Sequence, residues 1–215
     1  IMNSFYGVMG TPGCRFFDRR LPSSITLRGH EIMNQTRELI EQQGYQVIYG
    51  DTDSIFVWIE NPVNTLEAKD IGLRLASNIT SWWTQHLRTE FELESALELE
   101  FENHYSRFLM PTIRGSEQGS KKRYAGLICR EDFDFETAQE DQYHMVFKGL
   151  ETVRTDWTKL AREFQRDLYK RIFLGQEYKD FLLDTVRDIR LGIHDTQLIY
   201  RKRLRRKLAD YTSNV

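Results

Sequence analysis

The chain has little of what marks secreted, membrane-spanning or cysteine-rich metal proteins. It has two cysteines, Cys14 and Cys129, among 215 residues, and their separation matches no metal-ligand spacing, which favours a reducing compartment over a disulfide. No apolar run approaches the roughly 18 residues that cross a bilayer, and the first ten residues do not resemble a signal peptide. The five histidines show no i, i+4 pairing, so neither a zinc site nor a hydrolytic triad is predicted.

The chain also lacks a strong net charge. Its formal charge of −2 does not indicate a nucleic-acid-binding protein, so the distribution of charge is more informative than the sum. Basic residues cluster at 121–123 and 201–207, and acidic residues cluster at 90–102 and 131–141. This segregation suits a protein that binds cations in one place and phosphates in another. For 131–141 we prefer the simpler interpretation of a solvated surface.

Hydrophobic periodicity predicts an α+β fold, in which an antiparallel sheet has helices packed on one face. We expect a helix up to Gly10, a second from a cap at Ser23 or Ser24 to Gly44, and a third that begins near residue 64. Strands are expected at 44–49, 54–59, 97–102, 121–130 and 143–149. From about residue 153 the period is helical throughout, so we place a domain boundary between 152 and 153.

The most informative motif is Tyr49-Gly50-Asp51-Thr52-Asp53-Ser54, between two runs rich in β-branched and aromatic residues. It predicts a β-hairpin, with Asp51 and Asp53 on the same face if the turn keeps the strand pleat. Two close carboxylates repel each other unless a divalent cation lies beside them, and paired cations serve phosphoryl transfer. Aspartate is also common in turns, so the motif alone leaves a purely structural role open.

Three further motifs accompany the hairpin: Asn3-Ser4-Phe5-Tyr6-Gly7, Lys121-Lys122-Arg123-Tyr124, and Phe147-Lys148-Gly149-Leu150-Glu151. In this order and at these separations they resemble the family B DNA polymerases, and in detail a bacterial member of that family. The resemblance covers essentially the whole chain. It implies that 1–152 is the end of the fingers helix plus the palm, and that 153–215 is a helical partial thumb. It also implies a place in the bacterial cytoplasm, associated with the nucleoid, and a role in DNA replication or repair.

By this resemblance, Asp51 and Asp53 are catalytic residues and metal ligands for two Mg²⁺ ions, with Mn²⁺ able to substitute. The family's partner carboxylate comes from a D-x-x-S-L-Y-P-S motif that this chain lacks. Two carboxylates alone are expected to hold Mg²⁺ weakly. The family's triphosphate-binding lysine would fall two residues before Ile1. We therefore expect a segment of a longer polymerase that is inactive in isolation.

The resemblance assigns other residues to deoxynucleoside triphosphates and to primer–template DNA. The nucleotide-binding residues are Asn3, Tyr6 and Gly7, which without the resemblance form an ordinary helix end. The DNA-binding residues are Lys121, Lys122, Arg123, Tyr124, Arg154, Lys202 and Arg203. Cations beside phosphates and a ring beside a base suit these roles, although basic runs alone are more often solvated. A sliding clamp is an expected partner of the longer protein, and a membrane is not.

Two alternatives remain. A different palm-type nucleotidyltransferase, such as a reverse transcriptase, typically has adjacent aspartates in the turn, and Thr52 argues against it. The second alternative is a non-catalytic duplex-DNA-binding module that keeps the palm fold. The intact pair Asp51 and Asp53 argues against it for the longer protein, yet it suits the isolated segment. For the isolated segment we expect weak, sequence-independent duplex binding with a steep salt dependence.

Overall fold

The computed structural model describes residues 2–60, 64–112, 122–130, 139 and 141–201. The chain divides into two compact units, residues 1–102 and 103–215. Both contain helices and an antiparallel sheet, so the predicted α+β class is confirmed. The boundary expected between 152 and 153 separates palm from thumb by function, and it stays a prediction.

The first unit consists of three helices and one hairpin: α1 (Met2–Gly10), α2 (Arg20–Gln42), β1 (Gln46–Asp51), β2 (Ser54–Trp58) and α3 (Thr65–Phe91). Helix α3 begins as expected, because the Asn64 side chain accepts the Glu67 amide at 2.8 Å and the Glu67 side chain bonds back to the Asn64 amide. Such reciprocal bonds satisfy amides that the first helical turn leaves unpaired.

Helix α2 begins earlier than predicted, and the expected serine cap is wrong. The Ser23 hydroxyl donates to the carbonyl of Arg19 at 2.8 Å, so it bonds within the helix instead of capping it. Asp18 instead bonds to the first turn of α2, because its Oδ1 accepts the Arg20 amide at 3.0 Å. The side-chain bond from Arg20 lowers the pKa of Asp18 to about 2. The start of α2 is therefore marked by Asp18, a residue that the helical spacing of apolar residues does not indicate.

Helices α2 and α3 pack on one face of the hairpin, as the sequence predicts. The core of this unit contains Ile40, Ile79 and Trp83, each at most 4% exposed. Inside it the Trp83 indole N–H donates to the Thr36 hydroxyl at 3.0 Å, where Thr36 is 2% exposed. This buried hydrogen bond fixes the two helices against each other, since an indole N–H buried without an acceptor is costly.

The predicted strand at 97–102 is wrong, although its alternation is right. Leu97 and Leu99 are half-buried against the core of the first unit, while Glu98 and Glu100 are exposed. The segment belongs to no strand. The Leu99 amide donates to the hydroxyl of Thr80 on α3 at 3.0 Å. A helix side chain thus takes the place of a neighbouring strand.

The second unit contains a three-stranded antiparallel sheet and two helices: β3 (Arg107–Leu109), β4 (Tyr124–Cys129), β5 (Tyr143–Lys148), α4 (Lys159–Phe173) and α5 (Lys179–Arg190). The strand order is β3-β4-β5. The last two strands and both helices were predicted, and β3 was not. The described residues form two separate sheets where the sequence suggested one.

The two faces of β4 have different neighbours. Ala125, Leu127 and Cys129 are buried on one face, in a core that includes Phe173 and Leu174 of the α4 end. On the other face a Cβ at Gly126 would lie 2.2 Å from the Tyr105 ring, so glycine leaves room for that ring. Cys129 is a free thiol in this core. No helix in the described ranges has the length and apolar character needed to cross a membrane.

Replacing Thr36 with valine keeps the shape of the side chain but removes the acceptor of the Trp83 indole N–H. We expect a loss of about 1–3 kcal/mol in the free energy of unfolding, measured by urea denaturation. The control is Thr84→Val on the exposed face of α3, whose hydroxyl bonds only to its own helix. It should change stability by less than about 0.5 kcal/mol. Equal losses in the two variants would mean that the hydrogen bond from Trp83 to Thr36 does not stabilise the fold.

Candidate functional site

The β1–β2 hairpin contains a β-bulge at Ile48 that decides where Asp51 points. Val47 pairs with Val57, but the next pair is Tyr49 with Phe56. The valine pair faces the helical core. The bulge inserts one extra residue, so that Tyr49 turns to the opposite face although it has the same parity as Val47.

Asp51 follows Tyr49 on that opposite face. It pairs with Ser54, whereas Gly50 pairs with Ile55, which contacts the helical core. Without the bulge, Asp51 would share the face of Val47 and point toward the helices. The bulge therefore keeps a half-buried carboxylate out of the apolar interior.

The turn after Asp51 is strained. Thr52 has φ 57°, in the left-handed region that β-branched residues rarely adopt. The Asp53 amide donates to the Asp51 carbonyl at 2.6 Å, the i to i+2 bond of a γ-turn. Backbone outliers of this kind cluster at functional sites, so the strain itself suggests one.

The expectation that Asp51 and Asp53 share a face rested on a continuous pleat. The pleat ends at Asp51, and Asp53 lies in the turn, so strand parity does not fix the direction of Asp53. Hydroxyls flank both carboxylates: Thr52 donates to Asp51 Oδ1 at 3.1 Å, and Ser54 donates to Asp53 Oδ1 at a long 3.4 Å. Asp53 is exposed and Asp51 is half-buried.

These two carboxylates are the residues that could hold a divalent cation, since Mg²⁺ prefers hard oxygen ligands. Within the part of the chain that the structure describes, no group of three or more His, Cys, Asp or Glu side chains is placed to hold a metal ion. Asp51 and Asp53 therefore offer two carboxylates in this part of the chain, and metal binding by them stays a prediction.

Helix α2 connects the hairpin with Tyr6 of α1. The Tyr6 hydroxyl lies 2.9 Å from the Thr26 hydroxyl. Seven residues later on α2, the Met33 methyl lies 3.5 Å from where a Cβ of Gly50 would be. Residues seven apart share one helix face and are separated by about 10 Å along the axis. Tyr6 and the aspartate hairpin therefore lie along one face of α2.

The other two predicted nucleotide-binding residues also belong to α1. Gly7 is exposed, and a Cβ there would contact nothing within 4 Å, so the space for a close approach is present. The structure describes Asn3 only as part of the helix. Roles for Asn3, Tyr6 and Gly7 in nucleotide binding stay predictions.

Lys122 forms a tight turn against Gly149. Both residues have positive φ, 62° and 61°, and a Cβ at Gly149 would lie 2.1 Å from the Lys122 carbonyl oxygen. Real atoms do not approach so closely, so position 149 requires glycine. Residues 122–124 and 147–151 thus form one structural unit, and Lys122 is exposed at its surface.

Arg123 forms an ion pair with Glu151 at 2.5 Å, and the Glu151 side chain is 16% exposed. The other Glu151 oxygen accepts from the Gln165 amide of α4 at 2.7 Å. Burial raises the pKa of Glu151, but the Gln165 bond, the backbone and the Arg123 charge together lower it below 4.5. Arg123 is thus paired with Glu151 although its side chain is 42% exposed, and its expected contact with the primer stays a prediction.

Tyr124 begins β4, and its side chain lies on the face of β4 opposite to the core residues Ala125 and Leu127. Its ring packs on Phe108 of β3 with centroids 5.3 Å apart, and Tyr105 meets it edge-on at 6.3 Å. This aromatic surface was not predicted, because Tyr105 and Phe108 have no recognisable spacing. A DNA contact by Tyr124 stays a prediction.

Arg154 is the remaining predicted DNA-binding residue that the structure describes. Arg154 forms a two-point ion pair with Asp156, at 2.6 and 3.0 Å, and the Asp156 bonds raise the pKa of the guanidinium. Both side chains are about half exposed. Asp156 therefore pairs with Arg154, and the N-cap of α4 is Thr158, whose hydroxyl accepts the Ala161 amide at 3.2 Å. Lys121, Lys202 and Arg203 lie outside the described residues.

Comparison with known proteins identifies the family. The model of DNA polymerase family B matches residues 1–214, so the chain belongs to that family, and the resemblance read from four motifs is confirmed. DNA polymerase II of Escherichia coli is 56% identical over 215 residues, which are all of this chain and 26% of that protein. The bacterial relationship expected from the detailed motifs is therefore confirmed as well.

More distant relatives match a similar stretch. The DNA polymerase of Archaeoglobus fulgidus is 27% identical over 218 residues, 99% of this chain and 23% of that protein. The DNA polymerase alpha catalytic subunit of Mus musculus is 28% identical over 186 residues, 86% of this chain and 11% of that protein. The chain thus spans about a quarter or less of the curated relatives it matches.

Replacing Gly149 with alanine tests the contact with the Lys122 carbonyl. We expect a loss of about 3 kcal/mol or more, because the clash adds to the cost of positive φ. Gly175→Ala is the matched control: its φ is 68°, but a Cβ would contact nothing within 4 Å. It should cost about 1 kcal/mol. Equal losses in urea denaturation would mean that the close approach is unimportant.

Replacing Glu151 with glutamine tests how this partly buried carboxylate changes stability with pH. Because the pKa of Glu151 is lowered in the folded protein, its ionisation stabilises the fold above pH 4.5, and this contribution is lost as pH falls through the lowered pKa. Wild type should therefore be more stable than the variant by a constant amount from pH 8 to about pH 5, with the difference narrowing below that. The control is Glu38→Gln, at an exposed position of α2. A difference that persists unchanged to about pH 3 would contradict the assignment.

Proposed function

We propose that the chain is the part of a DNA-directed DNA polymerase that carries two metal-binding aspartates and part of the primer–template surface. The reaction is attack of a primer 3′-hydroxyl on the α-phosphorus of a deoxynucleoside triphosphate, with release of pyrophosphate. The observation that carries this proposal is the pair Asp51 and Asp53 at a bulged, strained hairpin, within a chain that belongs to family B.

The donor set fits a divalent cation in chemistry but is incomplete in number. Asp51 and Asp53 offer hard carboxylate oxygens, which is how Mg²⁺ is bound beside substrate phosphates. When bound, Mg²⁺ or Mn²⁺ would stabilise the charge on the attacking and leaving oxygens. Asp51 and Asp53 would hold these ions, and the turn at Thr52 would restrict the backbone between the two residues.

The remaining site residues position the substrates. Tyr6, with Asn3 and Gly7 on the same helix, would pack against the nascent base pair, since an aromatic ring offers a flat surface to a base. Lys122 is exposed at the tight turn with Gly149 and would contact a backbone phosphate. Arg123 would act mainly by holding this turn through Glu151, with Tyr124 and Arg154 contacting the DNA nearby.

The chain alone is proposed to be inactive, because it supplies two carboxylates and lacks the partner motif. Lys121, Lys202 and Arg203 would add phosphate contacts. A bacterial cytoplasmic location with the nucleoid and a sliding-clamp partner belong to the same proposal. Nothing in the described residues favours the non-catalytic duplex-binding alternative.

The test is primer extension by the full-length polymerase with Mg²⁺, comparing wild type with Asp53→Asn. Removing one metal-ligand charge should lower the rate by about a thousandfold or more, while the affinity for primer–template stays within about threefold. The matched control is Asp70→Asn, an exposed carboxylate that pairs with Arg74 on α3, and it should extend primers like wild type.

Undiminished extension by Asp53→Asn would mean that the hairpin aspartates are structural. Extension by the isolated 215-residue chain above a no-protein blank, abolished by the same substitution, would contradict the proposed inactivity of this segment.

A further inference from the structure

Helix α4 contacts the chain on both sides of Gly149. Before this glycine, the Tyr169 ring of α4 meets the Phe147 ring edge-on, with centroids 6.0 Å apart. After it, the Gln165 side chain of α4 bonds to the short 3₁₀ turn at 151–153. Tyr169 and Gln165 are four residues apart, so they lie on the same face of the helix. One face of α4 therefore holds both arms of the turn that Gly149 forms.

The Gln165 side chain makes two hydrogen bonds of opposite sense. Its amide nitrogen donates to Glu151 Oε2 at 2.7 Å, and its amide oxygen accepts the backbone N–H of Thr152 at 2.9 Å. Thr152 is 4% exposed, so its N–H would be costly to leave unpaired. A glutamine amide offers a donor and an acceptor together, whereas an ionised glutamate lacks the donor and a lysine lacks the acceptor.

Glu151 connects Gln165 with the basic motif. Its Oε1 pairs with Arg123 while its Oε2 accepts from Gln165, so the carboxylate cannot rotate without losing one of the two bonds. Arg123 follows Lys122 directly, and its Cγ lies 3.2 Å from where a Cβ of Gly149 would be. The Lys122 carbonyl packs against the same glycine. The neighbours that fix the Lys122 backbone are thus held by α4.

The Lys122 backbone depends on such support because it is strained. Its φ of 62° lies in the left-handed region that a residue with a side chain seldom adopts. A conformation of this kind persists only when the surrounding structure holds it in place. If the support is lost, the turn can relax, and the exposed Lys122 side chain then leaves the turn in another direction.

We propose that Gln165 is a positioning residue for primer–template binding. Through Glu151 it holds the Lys122 turn, so that the lysine ammonium group meets a backbone phosphate of the DNA. By the predicted boundary at 152, Gln165 belongs to the thumb and Lys122 to the palm, so a thumb helix sets the geometry of a palm contact. The inference rests on the proposed phosphate contact of Lys122.

The test is a double-mutant cycle on the affinity of the full-length polymerase for primer–template DNA, measured over a series of salt concentrations. Gln165→Met keeps the length of the side chain but removes both hydrogen bonds. It should weaken binding about fivefold and reduce the slope of log affinity against log salt by about 1, the effect of losing one phosphate contact, although no charge is removed. Lys122→Ala should reduce the slope equally. In the Lys122→Ala background, Gln165→Met should change the affinity by less than about twofold.

Incorporation kinetics distinguish positioning from a general loss of structure. In Gln165→Met the single-turnover rate at saturating primer–template should stay within about twofold of wild type, while the KM for primer–template rises with the dissociation constant. The matched control is Gln85→Met, at an exposed position of α3, which should leave affinity and slope unchanged. If thermal melting shows that Gln165→Met does not fold, Gln165→Asn enters the same cycle with the same expected result. It keeps the amide but is one methylene shorter, so it cannot make both bonds.

Three outcomes would overturn the inference. If the effects of Gln165→Met and Lys122→Ala multiply, Gln165 acts independently of Lys122. If the slope falls in Lys122→Ala but not in Gln165→Met, the phosphate contact stands and the positioning role does not. If the slope is unchanged in Lys122→Ala, the proposed phosphate contact is itself wrong, and the positioning role is refuted with it.

Discussion

The arrangement of the candidate site depends on the register of one hairpin. A single extra residue at Ile48 lets Val47 face the helical core while Tyr49 and Asp51 face the other way. Burying a carboxylate in the apolar interior without partners costs solvation free energy. The bulge avoids this cost by keeping Asp51 on the face away from the helical core. Thr52 then closes the turn at positive φ, a strain that the packing of α2 and α3 on the other face has to support.

A second local constraint organises the basic motif. Gly149 admits the Lys122 carbonyl, and the ion pair of Arg123 with Glu151 ties the same turn to Gln165 on α4. Residues of two motifs that are separate in the sequence therefore stabilise one turn. Lys122 is exposed at this turn, and we propose it for the phosphate contact because Arg123 is already paired with Glu151.

Much of this fold was predictable, and the failures have physical causes. The helices and four strands follow from strong periodicity, and the Asn64 cap from its side-chain chemistry. The strand at 97–102 was wrong because alternation reports which side chains are buried, whereas a strand also needs a backbone partner; here the Leu99 amide bonds to Thr80. The bulge at Ile48 and the positive φ of Thr52 could not be predicted from the sequence. Both residues are β-branched, and such residues favour regular strand conformations with negative φ. Glu151 belonged to a recognised motif, but its role depends on Gln165, fourteen residues away.

The central claim is that the Asp51–Asp53 hairpin binds the catalytic divalent cations. It is tested most directly by metal-directed cleavage, in which Fe²⁺ replaces Mg²⁺ in the full-length polymerase. Added hydrogen peroxide oxidises the bound Fe²⁺ to Fe³⁺ and is split into hydroxide and a hydroxyl radical, which cuts the backbone beside the ion. The account predicts cleavage within residues 49–56, suppressed by added Mg²⁺ and lost in Asp51→Asn and Asp53→Asn. Cleavage that is absent from this hairpin, or that persists unchanged in both variants, would contradict it.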